Sequence, residues 1–216
     1  MLVIIIGAGA GISQSVAELF GQKGFKIALI SRSEEKLNTQ VATLTAAGVD
    51  AVYALGDAGD EASLTHAIEG IILHYGEPDL ILYNAFTFNM KPIASETWET
   101  VKAQLDVNVG GAFHVLKMFV PKFKARNSGK IFITGGGLAL QPMMRILSLG
   151  MGKAAMRNMV QAVAQEARNT NVHIATLTVA GFVKPEDSKH NPKLIAEQYW
   201  RLYEQQPGQY ETEVIY

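Results

Sequence analysis

The residues whose spacing carries most chemistry stand near the start of the chain, in Gly7-Ala8-Gly9-Ala10-Gly11-Ile12-Ser13, between the apolar run Leu2 to Ile6 and an amphipathic stretch. A strand-to-helix turn made of glycines lets backbone N–H groups approach a phosphate, and the partial positive charge of the helix start adds to the attraction. The G-x-G-x-x-G pattern fails, because its third glycine would fall on Ile12; G-x-x-x-G-x-G is met at Gly7 and Gly11 and missed at Ser13. The loop either holds the phosphates of a nucleotide or uses its glycines only for the backbone angles of a tight turn. Roughly 20 residues further on, where dinucleotide-binding domains that prefer NAD place an acid for the adenosine ribose hydroxyls, the chain reads Leu29-Ile30-Ser31-Arg32-Ser33. The planar donor fork of Arg32 suits a 2′-phosphate, so NADP is expected ahead of NAD; the bland alternative is an arginine on an exposed helix start.

Other chemistries find no support. With no cysteine in the chain, disulfides, thiolate zinc sites and a cysteine nucleophile are excluded. His66, His74, His114, His173 and His190 show no close ligand spacing, so no metal is expected. Lys and Arg number 19 against 20 Asp and Glu, a net charge of -1 with no run of like charges, which argues against a nucleic-acid partner. At 48% hydrophobic and 18% charged residues over 216 positions, a large buried core is expected. The run Leu2 to Ile6 lacks the preceding basic residues of a secretory signal and is far shorter than a bilayer span. A cytoplasmic chain with no membrane partner and a small-molecule substrate is the expectation.

These residues need a scaffold, and its rhythm is legible. Short runs of Val, Ile, Leu and Phe alternate with stretches whose apolar residues recur every three or four positions. Strands are predicted near Leu2–Ile6, Phe25–Ile30, Asp50–Ala54, Leu80–Tyr83, Lys130–Thr134 and His173–Thr178, with a seventh at Glu213–Tyr216. Helices are predicted near Gly11–Lys23, Glu34–Ala47, Glu61–Tyr75, Thr97–Arg126 and Ser148–Asn169, with Ser33 and Asp60 as N-caps. Asn191–Gln206 reads as a further amphipathic helix, N-capped by Asn191 with Pro192 at its first position. It covers the substrate side, or buries its aromatics on the core or a second subunit. Strands that are continuously apolar are covered on both faces, so the fold is α/β, a doubly wound parallel sheet in three layers within one domain spanning residues 1–216. In such sheets ligands bind beyond the carboxyl ends of the strands.

Several segments together resemble the short-chain dehydrogenase/reductase family, from Leu2 to about Val183. Asp57-Ala58 is similar to the family's adenine-contacting segment, Leu82-Tyr83-Asn84-Ala85-Phe86 to its N-N-A-G stretch, and Asn108 to the asparagine of its long fourth helix. Gly129 to Lys153 lies without a gap on the segment that ends in Y-x-x-x-K, which puts Lys153 on the family's lysine. The resemblance implies cofactor contacts at Gly7, Gly9, Gly11, Ile12, Ser13, Arg32, Asp57, Ala58, Asn84, Ala85, Lys153 and Val183, with Asn108 and Lys153 as the catalytic candidates that remain.

It also implies a deficit, because Gly136 falls on the family's catalytic serine and Leu149 on its catalytic tyrosine. Carbonyl reduction leaves an alkoxide that needs a proton; in the family the phenol supplies it, with its pKa lowered by the lysine ammonium. Lys153 either binds the nicotinamide ribose or meets a water held by Asn108. Thr134 and Tyr83 are poor substitutes by position, and Ser148 points about 100° away from Leu149 on a helix. Arg145 anchors an anion at the pocket mouth or is a solvated loop residue, while Met143 and Met144 line a pocket or pack their loop. Two functions compete: an NADP-dependent oxidoreductase with an unorthodox proton route, acting on a carbonyl or a conjugated alkene, and a redox-silent NADP-binding sensor or partner subunit. The resemblance further implies a homodimer or homotetramer built through the fourth and fifth helices.

Overall fold

Every apolar run forms a strand in the computed structural model, which describes residues 1–216. The elements follow in strict alternation: β1 (Leu2–Ile6), α1 (Ile12–Gln22), β2 (Lys26–Ser31), α2 (Glu34–Ala46), β3 (Ala51–Leu55), α3 (Glu61–Tyr75) and β4 (Leu80–Tyr83). After a long loop come α4 (Trp98–Leu105), α5 (Gly111–Ala125), β5 (Gly129–Gly136), α6 (Leu147–Ala164), β6 (Val172–Val179), α7 (Pro192–Glu204) and β7 (Glu213–Ile215). The seven strands make one parallel sheet in the order β3-β2-β1-β4-β5-β6-β7. β1 pairs with both β2 and β4, so the chain reverses its winding direction there and opens a crevice above the carboxyl ends of β1 and β4.

Successive strand side chains point to opposite faces, and β1 shows it: Leu2, Ile4 and Ile6 join the apolar layer under α3, α5 and α6, while Val3 and Ile5 join the layer under α1, α2 and α7. Ser33, Asp60 and Asn191 cap their helices as expected, each side-chain oxygen accepting from the backbone N–H three residues on. α7 packs on α1, where Trp200 and Tyr203 meet Phe20 and Phe25 edge-on at 5.1 to 6.4 Å. Its aromatics therefore complete the core rather than cover the crevice. β7 is seated by Glu213, which takes a two-pronged contact from Arg157 at 2.7 to 2.9 Å and a bond from the Thr178 hydroxyl at 2.7 Å. No helix is long and apolar enough to cross a membrane.

The predicted helix Thr97–Arg126 is interrupted by a π-helical turn over Asp106–Gly110. Paired valines and glycines in Val107-Asn108-Val109-Gly110-Gly111 hold an α-helix weakly, and tertiary partners draw the turn open: the Tyr83 hydroxyl donates to the Val107 carbonyl and Asn108 is pulled onto Thr87. The predicted helix Ser148–Asn169 likewise ends early, tightening into a single turn over Gln165–Ala167.

His173, at the opposite end of the sheet, is 1% exposed, stacked on Tyr210 at 4.2 Å, and its Nε2–H donates to the Glu211 carbonyl at 2.9 Å. Burial pushes its pKa down to about 4. The unfolded chain, with an ordinary imidazole near 6.5, binds a proton across that interval that the native chain refuses, so stability is present above about pH 6.5 and is lost as pH falls toward 4. Between pH 7 and pH 4.5 this group alone removes on the order of 2 kcal/mol. Urea unfolding at the two pH values should show that loss in the parent and not in His173→Gln; equal losses would overturn the assignment.

Candidate active site

The crevice is a cleft of about 1320 Å³, and 19 of its 35 lining residues are hydrophobic. Its floor at one end is the glycine loop. Gly7 has φ +85°, and a Cβ there would collide with the Ala85 backbone, so glycine is required for the loop to cross β4 closely. A Cβ at Gly9 or Gly11 would meet nothing within 4 Å, which leaves open space above the loop. α1 starts on Gly11, which offers no side chain to cap it. The backbone N–H groups of Ile12 and Ser13 have no protein partner. Unpaired amides at a helix start, facing a cleft through side-chain-free residues, form a cradle for an anion.

Ser13 contributes no side chain to the cleft. That side chain is fully buried beneath the loop, donating to the Gly7 carbonyl at 2.9 Å and accepting from Asn84 Nδ2 at 2.7 Å. It braces the loop, and only its backbone remains for a ligand. Asn84 accordingly lines the cleft with its amide turned to this brace. Gly7, Gly9, Gly11, Ile12, Arg32, Asp57, Ala58, Ala85, Lys153 and Val183 all line the cleft, so the topology gathers residues up to 176 positions apart, from Gly7 to Val183. Arg32 sits at the mouth by the ends of β2 and β3, 70% exposed and 3.9 Å from the Asp57 carboxylate. A pair so open is worth little, which leaves the guanidinium free to take a better anion.

At the other end lies Lys153, 8% exposed. Its Nζ donates to the Thr134 carbonyl at 2.7 Å, a partner on the adjacent β5 that sequence spacing did not single out. Burial brings its pKa down to about 8. Asn108 spends both polar side-chain atoms on Thr87. Asn108 is fully buried outside the cleft lining, its Oδ1 accepting from Thr87 N–H and its Nδ2 donating to the Thr87 carbonyl, both at 2.8 Å. Asn108 is thus a positioning residue for the loop after β4.

Gly136 and Leu149 line the cleft beside Lys153. Among all lining residues the ionisable side chains are Arg32, Asp57 and Lys153 alone. The phenols nearby are spent elsewhere. Tyr83 is buried on the Val107 carbonyl, and desolvation followed by the Asp57 charge raises its pKa. Tyr199, on α7, is buried against the Thr134 hydroxyl at 2.6 Å, with its pKa also raised by desolvation. Ser148 is buried too, donating to Gln104 Oε1 at 2.5 Å. Arg145 does not line the cleft; it adopts φ +68° with its carbonyl accepting from Lys91 N–H at 3.0 Å. The two methionines divide, Met143 lining the cleft and Met144 standing 88% exposed.

Residues 1–193 match the profile of the family described as short chain dehydrogenase. The chain belongs to the short chain dehydrogenase family. Membership classes it as an oxidoreductase of the short-chain type. An uncharacterized oxidoreductase of Listeria innocua is 28% identical over 178 residues, covering 82% of this chain and 72% of the relative. A short-chain dehydrogenase from Rhodopseudomonas palustris superposes with a TM-score of 0.88 at 26% identity, over 100% of this chain and 97% of that one. A metagenomic short-chain oxidoreductase solved in complex with NADP shares the fold with a TM-score of 0.91 at 21% identity, over 100% of this chain and 96% of that one.

Proposed function

We propose that this short-chain dehydrogenase binds NADP(H) and is an oxidoreductase acting on a small carbonyl or conjugated-alkene substrate, with a proton route that does not use a phenol. The observation that carries the cofactor assignment is the uncapped start of α1, where Gly11 and Ile12, with its free amide, line the same cleft as Arg32 and Lys153. The NADP-bound metagenomic structure of the same fold, and a serine dehydrogenase complexed with NADP+ at a TM-score of 0.88 and 19% identity, support it.

In this reading Gly7, Gly9, Gly11 and the Ile12 amide cradle the pyrophosphate, and the Ser13 brace holds them in place. Arg32 pairs with the 2′-phosphate, Asp57 and Ala58 border the adenine, Asn84 and Ala85 border the adjoining ribose, and Val183 meets the carboxamide. Lys153 keeps one N–H on Thr134 and presents the others to the nicotinamide ribose and the substrate oxygen. When bound, the cofactor supplies or accepts a hydride.

By the resemblance Gly136 and Leu149 fall on the family's serine and tyrosine, and of the three ionisable residues that line the cleft Lys153 is the one beside them. As an ammonium, Lys153 donates a hydrogen bond to the substrate oxygen, with the proton itself coming from water or substrate. Titration of the purified protein with NADPH and NADH tests the reading. NADPH binding tighter than NADH by at least tenfold is expected, followed by loss of nicotinamide absorbance with carbonyl or enone substrates. No NADPH binding overturns the assignment, and binding without turnover on a broad screen would support the sensor or partner-subunit reading instead.

A further inference from the structure

The loop after β4 builds a wall that neither the glycine loop nor Lys153 accounts for. Thr87 is held from behind by both polar atoms of Asn108, and the Asn89 N–H is held at 3.2 Å by Gln104 Oε1, itself fixed by Ser148. With residues 87 and 89 tied backward into α4 and the π-helical turn, the alternate side chains Phe86, Phe88 and Met90 are turned into the cleft. Phe86 and Phe88 lie nearly parallel, 15° apart with centroids at 6.2 Å, and remain 54% and 49% exposed. Two half-exposed, nearly parallel aromatic rings on a backbone tied at Thr87 and Asn89 form a stacking platform.

The platform leads to the reactive end. Lys153 Nζ lies 5.8 Å from the Phe86 ring centroid, and Met143, Leu149 and Phe182 supply further apolar lining. Lys153 is the one ionisable side chain at this end, since Arg32 and Asp57 belong to the mouth by β2 and β3. No arginine or second lysine is among the residues that line this end, the nearest along the chain being Lys91, Arg145 and Lys184 outside the lining.

We propose that the substrate is a neutral, flat, apolar conjugated ketone or aldehyde whose ring system lies along Phe86 and Phe88 and whose oxygen faces Lys153. This rests on the oxidoreductase reading above. Flatness follows from the parallel rings and neutrality from the absence of an anion partner. Conjugation follows from a cleft whose lining includes no phenol, because hydride addition to an enone leaves an enolate, which is less basic than an alkoxide and does not need a strong acid at its oxygen. The carbon–carbon double bond gains a hydride at its β-carbon from NADPH, which becomes NADP+, and a proton at its α-carbon from water, while Lys153 holds the enolate oxygen by a hydrogen bond.

Calorimetry on the NADP+-saturated protein tests this without turnover, using benzylideneacetone, its para-carboxylate and hydroxyacetone. Benzylideneacetone is expected to bind at least about tenfold more tightly than either comparator, and Phe86→Ala/Phe88→Ala to weaken it about tenfold. Equal or tighter binding of the carboxylate, binding of hydroxyacetone at the same level, or an unchanged affinity in the double variant each overturns the inference. Half-exposed rings can be truncated without opening the core, and a thermal melt of the variant checks that it is folded. A prior titration with NADP+ separates the two readings: no coenzyme binding defeats the function proposed above, whereas coenzyme binding without this discrimination defeats only the substrate class.

Discussion

Replacing Gly136 by Ser and Leu149 by Tyr together is expected to raise NADPH-dependent reduction of a simple aldehyde or ketone by about 10²- to 10⁴-fold, the usual contribution of a positioned acid. Both positions line the cleft, and Leu149 precedes Lys153 by one helical turn, which puts the two side chains on one face of α6. A phenol in that position lies next to an ammonium, and the positive charge lowers its pKa from about 10 toward the working range. The Gly136→Ser half is sterically open: a Cβ there meets Lys153 Cε at 3.4 Å, ordinary contact with a flexible side chain. Neither single change should deliver the full gain, because the serine orients the carbonyl and the tyrosine protonates it. The measurement is the initial rate of NADPH oxidation with a panel of simple aldehydes, in a variant shown to melt and bind coenzyme like the parent. A folded, coenzyme-bound double variant with no gain would mean that Gly136 and Leu149 are not the positions of the missing groups.

Arg32→Asp is expected to weaken NADPH about 100-fold while changing NADH by no more than a few-fold. Hydrogen bonds to charged groups contribute roughly 1.5–3 kcal/mol, so losing the guanidinium accounts for about tenfold to 150-fold, and an aspartate opposite a 2′-phosphate adds repulsion. The contact that Arg32 makes now, 3.9 Å to Asp57 with both groups exposed, is too weak to hold it back from a phosphate. Because the site is exposed, the difference between the two coenzymes should narrow as salt is raised. Equal losses for NADPH and NADH would remove the 2′-phosphate assignment and leave Arg32 as a surface residue.

Much of the scaffold is legible in the sequence. β1, α3 and β4 fall where the apolar runs and caps place them, and the other strand ends move by one or two residues. Local chemistry carries such information: Ser33, Asp60 and Asn191 satisfy helix-start amides three residues away, and a buried parallel strand must be apolar on both faces. The glycine loop and Arg32 stand out because each follows a strand, whereas Lys153 stands out only through the resemblance to the family. The aromatic wall had a weaker signal, the alternation Phe86-x-Phe88-x-Met90, which reads equally as an ordinary extended segment.

The direction in which particular polar groups point was decided by folding alone. Ser13 turns down to Asn84, which is 71 residues distant in the chain, and the helix that should have run unbroken from Thr97 opens at Asn108 to reach Thr87. The same holds for Tyr199, withdrawn to Thr134, and for α7, seated on Phe20 and Phe25 instead of over the cleft. Periodicity and caps are set by neighbours within a few positions, and the chain carries them openly. A buried hydrogen bond is set by whichever distant group the packed core brings within reach, and no spacing along the chain records that choice.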